Sequence, residues 1–134
     1  MAKGMCPVRT RDIHWIAGLI EGDGCFFVRK GKYNNGPAYS AYREYPGIDI
    51  SMTDEDVVKH AHQIAGGTFS KLKHKTRGDK SIYSLRLRGK HALSWMMTLF
   101  PLMGRRRQAK LKEILLKWRT SPLMVGLSAP EVRA

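Results

Sequence analysis

The sequence predicts an α+β domain: a four-stranded antiparallel sheet with helices on one face and a polar, basic surface on the other. Three observations lead there. Apolar residues switch between helical and strand spacing in the order αββ–αββ–αα across residues 10–119. Strand-like segments alternate apolar residues with Arg, Lys, Ser and Tyr, so one side of the sheet is greasy and the other is not. The short spacing between segments, marked by Gly, Asn and Asp, suits hairpins rather than long crossovers.

Each element has its own signal. Ile13, Ile16, Ala17 and Ile20 recur at helical spacing, with Thr10 able to cap the start and Gly22 and Gly24 ending the helix. Residues 25–33 read as a strand with Phe26 and Val28 on one side and Cys25, Phe27 and Arg29 on the other. Asn34-Asn35-Gly36-Pro37 is a turn or loop. A strand at about 42–52 points Ile48, Ile50 and Met52 inward and Asp49 and Ser51 outward. Thr53 to Asp56 resembles a capping box for a helix buried through Val57, Ala61, Ile64 and Ala65 and stopped by Gly66-Gly67. The pattern repeats with a strand at 68–75, a turn at 77–79 and a strand at 81–88 that faces Tyr83, Leu85 and Leu87 inward. Two helices follow, striped by Ala92, Trp95, Met96 and Leu99 and by Leu111, Ile114, Leu115 and Trp118, with Pro101 and Gly104 between them. Residues 1–9 read as an N-terminal arm, 10–119 as one domain and 120–134 as a tail.

Charge bounds the function. The 134-residue chain has a formal net charge of +13. Residues 1–68 hold eight Lys/Arg and eight Asp/Glu, whereas residues 69–119 hold fifteen Lys/Arg against Asp79 and Glu113. A one-sided excess attracts a polyanion. The basic residues lie mostly on strand-like text, not on one amphipathic helix, which argues against a membrane surface. No apolar run is long enough to span a bilayer, and Met1 to Thr10 is too polar for a signal peptide. Cys6 and Cys25 form no CxxC pair, and His60 and His62 have no partners at zinc-site spacing, so a reducing intracellular setting is the expectation.

The most informative segment is Ile16-Ala17-Gly18-Leu19-Ile20-Glu21-Gly22-Asp23-Gly24. Ala17, Gly18 and Gly22 strip bulk from a helix, and each Gly costs up to ~1 kcal/mol of helix propensity. Small residues four apart permit close approach of another backbone. Glu21 and Asp23 then fall at the negative end of the macrodipole, a misplacement of ~0.3–1 kcal/mol each. Two broken rules at one place point to a functional site, and a bound cation offsets both penalties. The competing reading is an ordinary Asp-Gly turn.

IAGLIEGDG resembles the LAGLIDADG motif, with Ile for the first Leu, Glu for the first Asp and Gly for the second Ala. The likeness extends through the αββαββα order to FPLMGRRRQAKL, similar to the family's basic helix-opening segment. The resemblance implies a homing endonuclease that hydrolyses both strands of a long, near-palindromic double-stranded DNA site, leaving short 3′ overhangs. It implies DNA on the sheet face away from the helices. One motif copy implies a homodimer, with Ile13, Ala17, Gly18 and Ile20 at the interface. The family's metal-holding acid matches Asp23, and the carbonyl of Gly22 would face the same ion. Mg²⁺ suits oxygen ligands and a phosphate substrate, Mn²⁺ being a possible substitute, and no small-molecule cofactor is implied. Glu21 matches a position with a structural, helix-end role.

Arg105 matches the family's basic position, usually Lys, with Arg106 beside it. Arg stabilises phosphate charge but does not shuttle protons readily. A polar, water-organising residue is implied where the second strand meets the next helix, where Thr53 and Asp54 lie; helix capping is the competing role. DNA-contacting candidates by alternation are Arg29, Tyr33, Arg43, Asp49, Ser84, Arg86 and Arg88. Lys71 and Lys73 join them only if Phe69 also faces outward. Two other functions compete: a non-cleaving maturase or regulator on the same scaffold, and an unrelated basic protein such as a ribosomal component. Retention of Asp23 favours the nuclease over the first, and the motif itself disfavours the second.

Overall fold

The structure, a computed structural model, describes residues 8–32, 42–73 and 80–120. The elements run α1 (Thr10–Asp23), β1 (Gly24–Lys32), β2 (Tyr42–Met52), α2 (Glu55–Ala65), β3 (Thr68–Lys73), β4 (Ser81–Arg88), α3 (Gly89–Leu99) and α4 (Arg105–Thr120), with a 3-10 turn at Phe100–Leu102. The strands form one antiparallel sheet in the order β1-β2-β4-β3. This is the expected α+β architecture. Both expected turns, the end of the 68–75 strand, and residues 1–7 and 121–134 lie outside the described residues.

Period-two alternation drives Phe26, Ile48, Ile50, Leu85 and Leu87 to the inner face of the sheet, where they are buried. The helices meet them with Ile16, Ile20, Val58, Met96, Leu111 and Ile114. Truncating any of these to Ala carries the usual core penalty of roughly 2–5 kcal/mol. Among the described residues no helix is long and apolar enough to cross a membrane.

Several local expectations are corrected. Arg9, not Thr10, precedes α1; its backbone N–H donates to the Asp12 carboxylate at 3.3 Å. Gly22 lies inside the last turn of α1, and Gly24 is the extended residue that follows it. A Cβ at Gly24 would fall 2.7 Å from Ile20 Cγ2, so the tight passage from helix to strand needs glycine. Helix α2 starts one residue later than a Thr53 cap requires, and Asp54 precedes it without a side-chain capping bond. That helix buries Val58 rather than Val57, with Ile64 half-buried, because it packs its Val58–Ala61–Ala65 stripe on the sheet. It stops at Gly66 and Gly67, whose φ of 76° and 86° disfavour any side chain. In α3 the stripe is Ala92, Leu93, Met96 and Leu99, with Trp95 half-buried. Leu115 and Trp118 of α4 are half-buried beside Leu111 and Ile114.

Candidate active site and nucleic-acid interface

Gly24, the first residue of β1, pairs with Ile50 near the end of β2. Antiparallel pairing therefore brings the end of α1 and the start of α2 to the same end of the sheet. Glu21 adds α4 to that end. Its carboxylate accepts the backbone N–H of Gly104 at 2.7 Å, and Arg107 Nε donates to its backbone oxygen at 3.2 Å and lies 3.3 Å from Oε2. Gly104 stands just before α4, so Glu21 meets the positive end of a second helix and its apparent misplacement on α1 disappears. Asp23 has no such compensation. It is exposed and has no hydrogen-bond or ion-pair partner among the described residues.

Asp23 at the end of α1, Asp54 before α2 and Arg105 opening α4 thus share one end of the molecule. Asp54, Arg105 and Arg106 are all exposed. A cleft of about 430 Å³ opens beside the motif between β1 and α4, lined by Gly24, Cys25, Arg106, Arg107 and Lys110 among others. Glu113 also lines it and pairs with Lys110, and Arg107 is paired with Glu21, which leaves the exposed Arg106 as its unpaired cation among the described residues. Arg107 is the residue that sequence reasoning missed. In a run of three arginines only the tertiary contact distinguishes it: its side chain is 11% exposed and spent on Glu21.

The outer face of the sheet carries Arg29, Asp49, Ser84, Arg86 and Arg88 of the expected DNA-contacting residues. Asp49 of β2 sits in register between Cys25 on β1 and Arg86 on β4. Arg86 Nε donates to Asp49 Oδ1 at 2.9 Å, and Arg29 Nη2 lies 3.7 Å from Oδ2. Arg29 also lies over the Phe27 ring, 4.6 Å from its centroid. Arg88 is exposed at the end of β4. Ser84 faces outward but is 7% exposed and bonded to Ser70 Oγ at 2.8 Å, which corrects its assignment as a free reader.

Lys71 is also corrected. Phe69 stacks against Tyr83 on the helix side, so alternation turns Ser70 outward and Lys71 inward-side. Lys71 Nζ stands 5.8 Å from the Tyr83 ring. The Glu55 carboxyl is held below its usual range, first by its hydrogen bond from Lys59 and in smaller part by the Lys71 charge. Lys73 pairs with Ser81 in the β3–β4 ladder, and its side chain lies outside the described residues. Arg43 pairs with Gly31 in the β1–β2 ladder, and Tyr33 lies outside the described residues.

The sequence model of the LAGLIDADG endonuclease family matches residues 16–107, which include the motif, both hairpins and the arginine run. The chain belongs to this family. Solved homing endonucleases share the fold. The homing endonuclease I-CvuI, solved on the I-CreI target DNA, superposes with a TM-score of 0.63 at 19% identity, covering 84% of this chain and 68% of that one. The homing endonuclease I-TnaI gives 0.57 at 18% identity over 88% of both chains. The meganuclease I-SmaMI, solved on uncleavable DNA, gives 0.57 at 16% identity, and 40% of its length is covered. No curated protein matches the sequence significantly.

On the LAGLIDADG helix the four expected interface residues divide. Ala17 and Ile20 are 5% and 0% exposed, buried in the protomer's own core, so they are not available for a partner. Ile13 is half-buried. Gly18 is exposed, as is Gly22 one turn on, and a Cβ at either would meet nothing within 4 Å. The open stripe is therefore Gly18 and Gly22.

Divalent-cation binding is tested by donor chemistry. Asp23 offers an ionisable oxygen donor, with the backbone oxygen of Gly22 adjacent in the chain, and hard oxygen donors suit Mg²⁺ or Mn²⁺. Among the described residues no group of three or more His, Cys, Asp or Glu side chains converges on one point. Asp23 and the Gly22 carbonyl fit as part of the oxygen set of such an ion.

Proposed function

We propose that this chain is a metal-dependent DNA endonuclease that acts as a homodimer on a long, near-palindromic duplex site and leaves short 3′ overhangs. The observation that carries the reading is the contrast between Glu21 and Asp23. Two acids end the same helix; one is neutralised by α4 and Arg107, and the other is left exposed at the negative pole of α1. A carboxylate held in an unfavourable place without a protein partner suits a cation brought with the substrate.

In this reading Asp23 and the Gly22 carbonyl hold Mg²⁺. The ion would supply an acidified water and charge stabilisation at the phosphate. Arg105 neutralises charge at the scissile phosphate, Arg106 holds a neighbouring phosphate at the basic cleft, and Asp54 orients a water by accepting its hydrogen bond. The open Gly18 and Gly22 face lets two α1 helices approach at a dyad, so that two copies of Asp23 serve the two strands. Arg29, Arg43, Arg86 and Arg88, with Tyr33 beyond β1, address the groove.

The second reading is binding without cleavage on the same fold. Arg105 favours it, because a guanidinium does not exchange protons near neutral pH as a Lys in that place can. Selection of cleaved duplexes from a randomised library in Mg²⁺ separates the two. Recovery of one long, near-symmetric site cut on both strands supports the nuclease. Enrichment by binding with no cut product supports the alternative.

A further inference from the structure

Asp49 is the acid on the outer face of the sheet among the described residues, set among Arg29, Arg86 and Arg88, the hydroxyls of Ser51, Thr68, Ser70 and Ser84, and aromatic and apolar groups that include Phe27 and Leu72. An acid facing a polyanion is repelled by it, so its presence there needs a reason. We infer that Asp49 is a positioning residue that aims the Arg86 guanidinium at a guanine edge and restrains Arg29 beside it, and so sets base specificity without reading a base itself. This rests on the DNA-binding part of the function proposed above.

The geometry supplies the reason. Asp49 takes the Nε proton of Arg86 at 2.9 Å. The two terminal nitrogens of that guanidinium have no partner among the described residues. Those terminal groups form the planar pair of donors that matches guanine O6 and N7. Arg29 is braced from two sides, by Asp49 Oδ2 at 3.7 Å and by the Phe27 ring at 4.6 Å. Phe27 is itself fixed. Its ring lies over Gly47, where any Cβ would fall 2.4 Å from it. Asp49 is 19% exposed, and its place between β1 and β4 is dictated by the ladder. A guanidinium fixed before binding loses less side-chain entropy on contact, which strengthens the correct contact.

A phosphate-binding arginine needs no such brace, because phosphate accepts it from many directions. Opposite changes in specificity and affinity are therefore expected when the brace is removed. Asp49→Asn frees both guanidiniums to find phosphates. Discrimination at the bases beneath Arg86 should fall by about tenfold or more. Affinity for random duplex should rise, and its log–log salt slope should steepen by about 0.9 for each phosphate gained.

The test is binding selection of the full-length protein on a randomised duplex library in EDTA, where cleavage plays no part. Wild type, Asp49→Asn, Arg86→Ala, Arg86→Lys and the Asp49→Asn/Arg86→Ala double variant are compared, with thermal unfolding as the check on folding. Asp49→Asn and Arg86→Ala should flatten the same base position, and the double variant should lose no more there than Arg86→Ala alone. Arg86→Lys keeps the charge without the planar donor pair. It should lose the same preference with the salt slope unchanged, and it tests the idea even if Asp49→Asn folds poorly. An Asp49→Asn effect at a separate base position, additive with Arg86→Ala, would mean that Asp49 reads a base directly and overturns the inference. So would an unchanged profile in a wild type that does select a site. A wild type that enriches no sequence overturns this inference together with the DNA-reading function beneath it.

Discussion

Glu21 of the motif helix and Gly104 before α4 are joined by a 2.7 Å hydrogen bond across 83 residues of sequence. The acid that ends one helix is the cap that begins another, and Arg107 reaches back to close the contact. The latch keeps the basic start of α4 beside the end of the motif. In the proposed function this places Asp23 and Arg105 at one phosphate.

Glu21→Ala should destabilise the fold by about 1–2 kcal/mol, the worth of a charge-assisted hydrogen bond at a half-exposed site. Arg107→Ala should cost a similar amount. The double variant should lose clearly less than the sum, because each change removes the same contact. Equilibrium urea unfolding of the four proteins gives the coupling, and strict additivity would show that the two residues act independently.

The order of elements was legible because each segment keeps one period, as in Ile48-Asp49-Ile50-Ser51-Met52 or Tyr83-Ser84-Leu85-Arg86-Leu87. The facing of β3 was not. Thr68-Phe69-Ser70-Lys71-Leu72-Lys73 offers one large apolar residue to each side, and only pairing with β4 chooses Phe69 as the inner one. Leu72 is left 62% exposed. On α1 the motif is apolar or small all round, so spacing alone did not separate the core stripe of Ile16, Ala17 and Ile20 from the open stripe of Gly18 and Gly22. Asp23 was legible because it breaks a helix rule. The Asp49–Arg86 and Ser70–Ser84 contacts were not, because cross-strand partners are set by register and leave no mark in local sequence.

Gly18→Leu should convert the proposed dimer to monomer and abolish the proposed double-strand cutting. The side chain has free space in the protomer, so the fold should survive and helix propensity should rise by up to ~1 kcal/mol. Sedimentation equilibrium with circular dichroism checks this. A Gly18→Leu protein that stays dimeric would remove Gly18 from the interface.

Salt dependence should separate the basic start of α4 from the helix-side lysine of β3. Arg105→Ala and Arg106→Ala should each lower the log–log slope of DNA binding by about 0.9 if each residue neutralises one phosphate. Lys71→Ala should leave the slope unchanged, because Lys71 stands with Tyr83 on the helix side. An equal loss of slope for Lys71→Ala would place that residue against DNA.

The central claim is that Asp23 holds the metal for strand cleavage, and Asp23→Asn tests it most directly. The amide keeps the size of the exposed side chain at the end of α1 but loses the charge that binds a divalent ion. Cleavage of the selected duplex in Mg²⁺ is measured beside DNA affinity and unfolding for wild type, Asp23→Asn and Glu21→Gln. The account predicts that Asp23→Asn cuts neither strand while folding normally and binding the duplex at least as tightly as wild type, and that Glu21→Gln retains more cutting. Near-normal cleavage by the Asp23→Asn protein would contradict it.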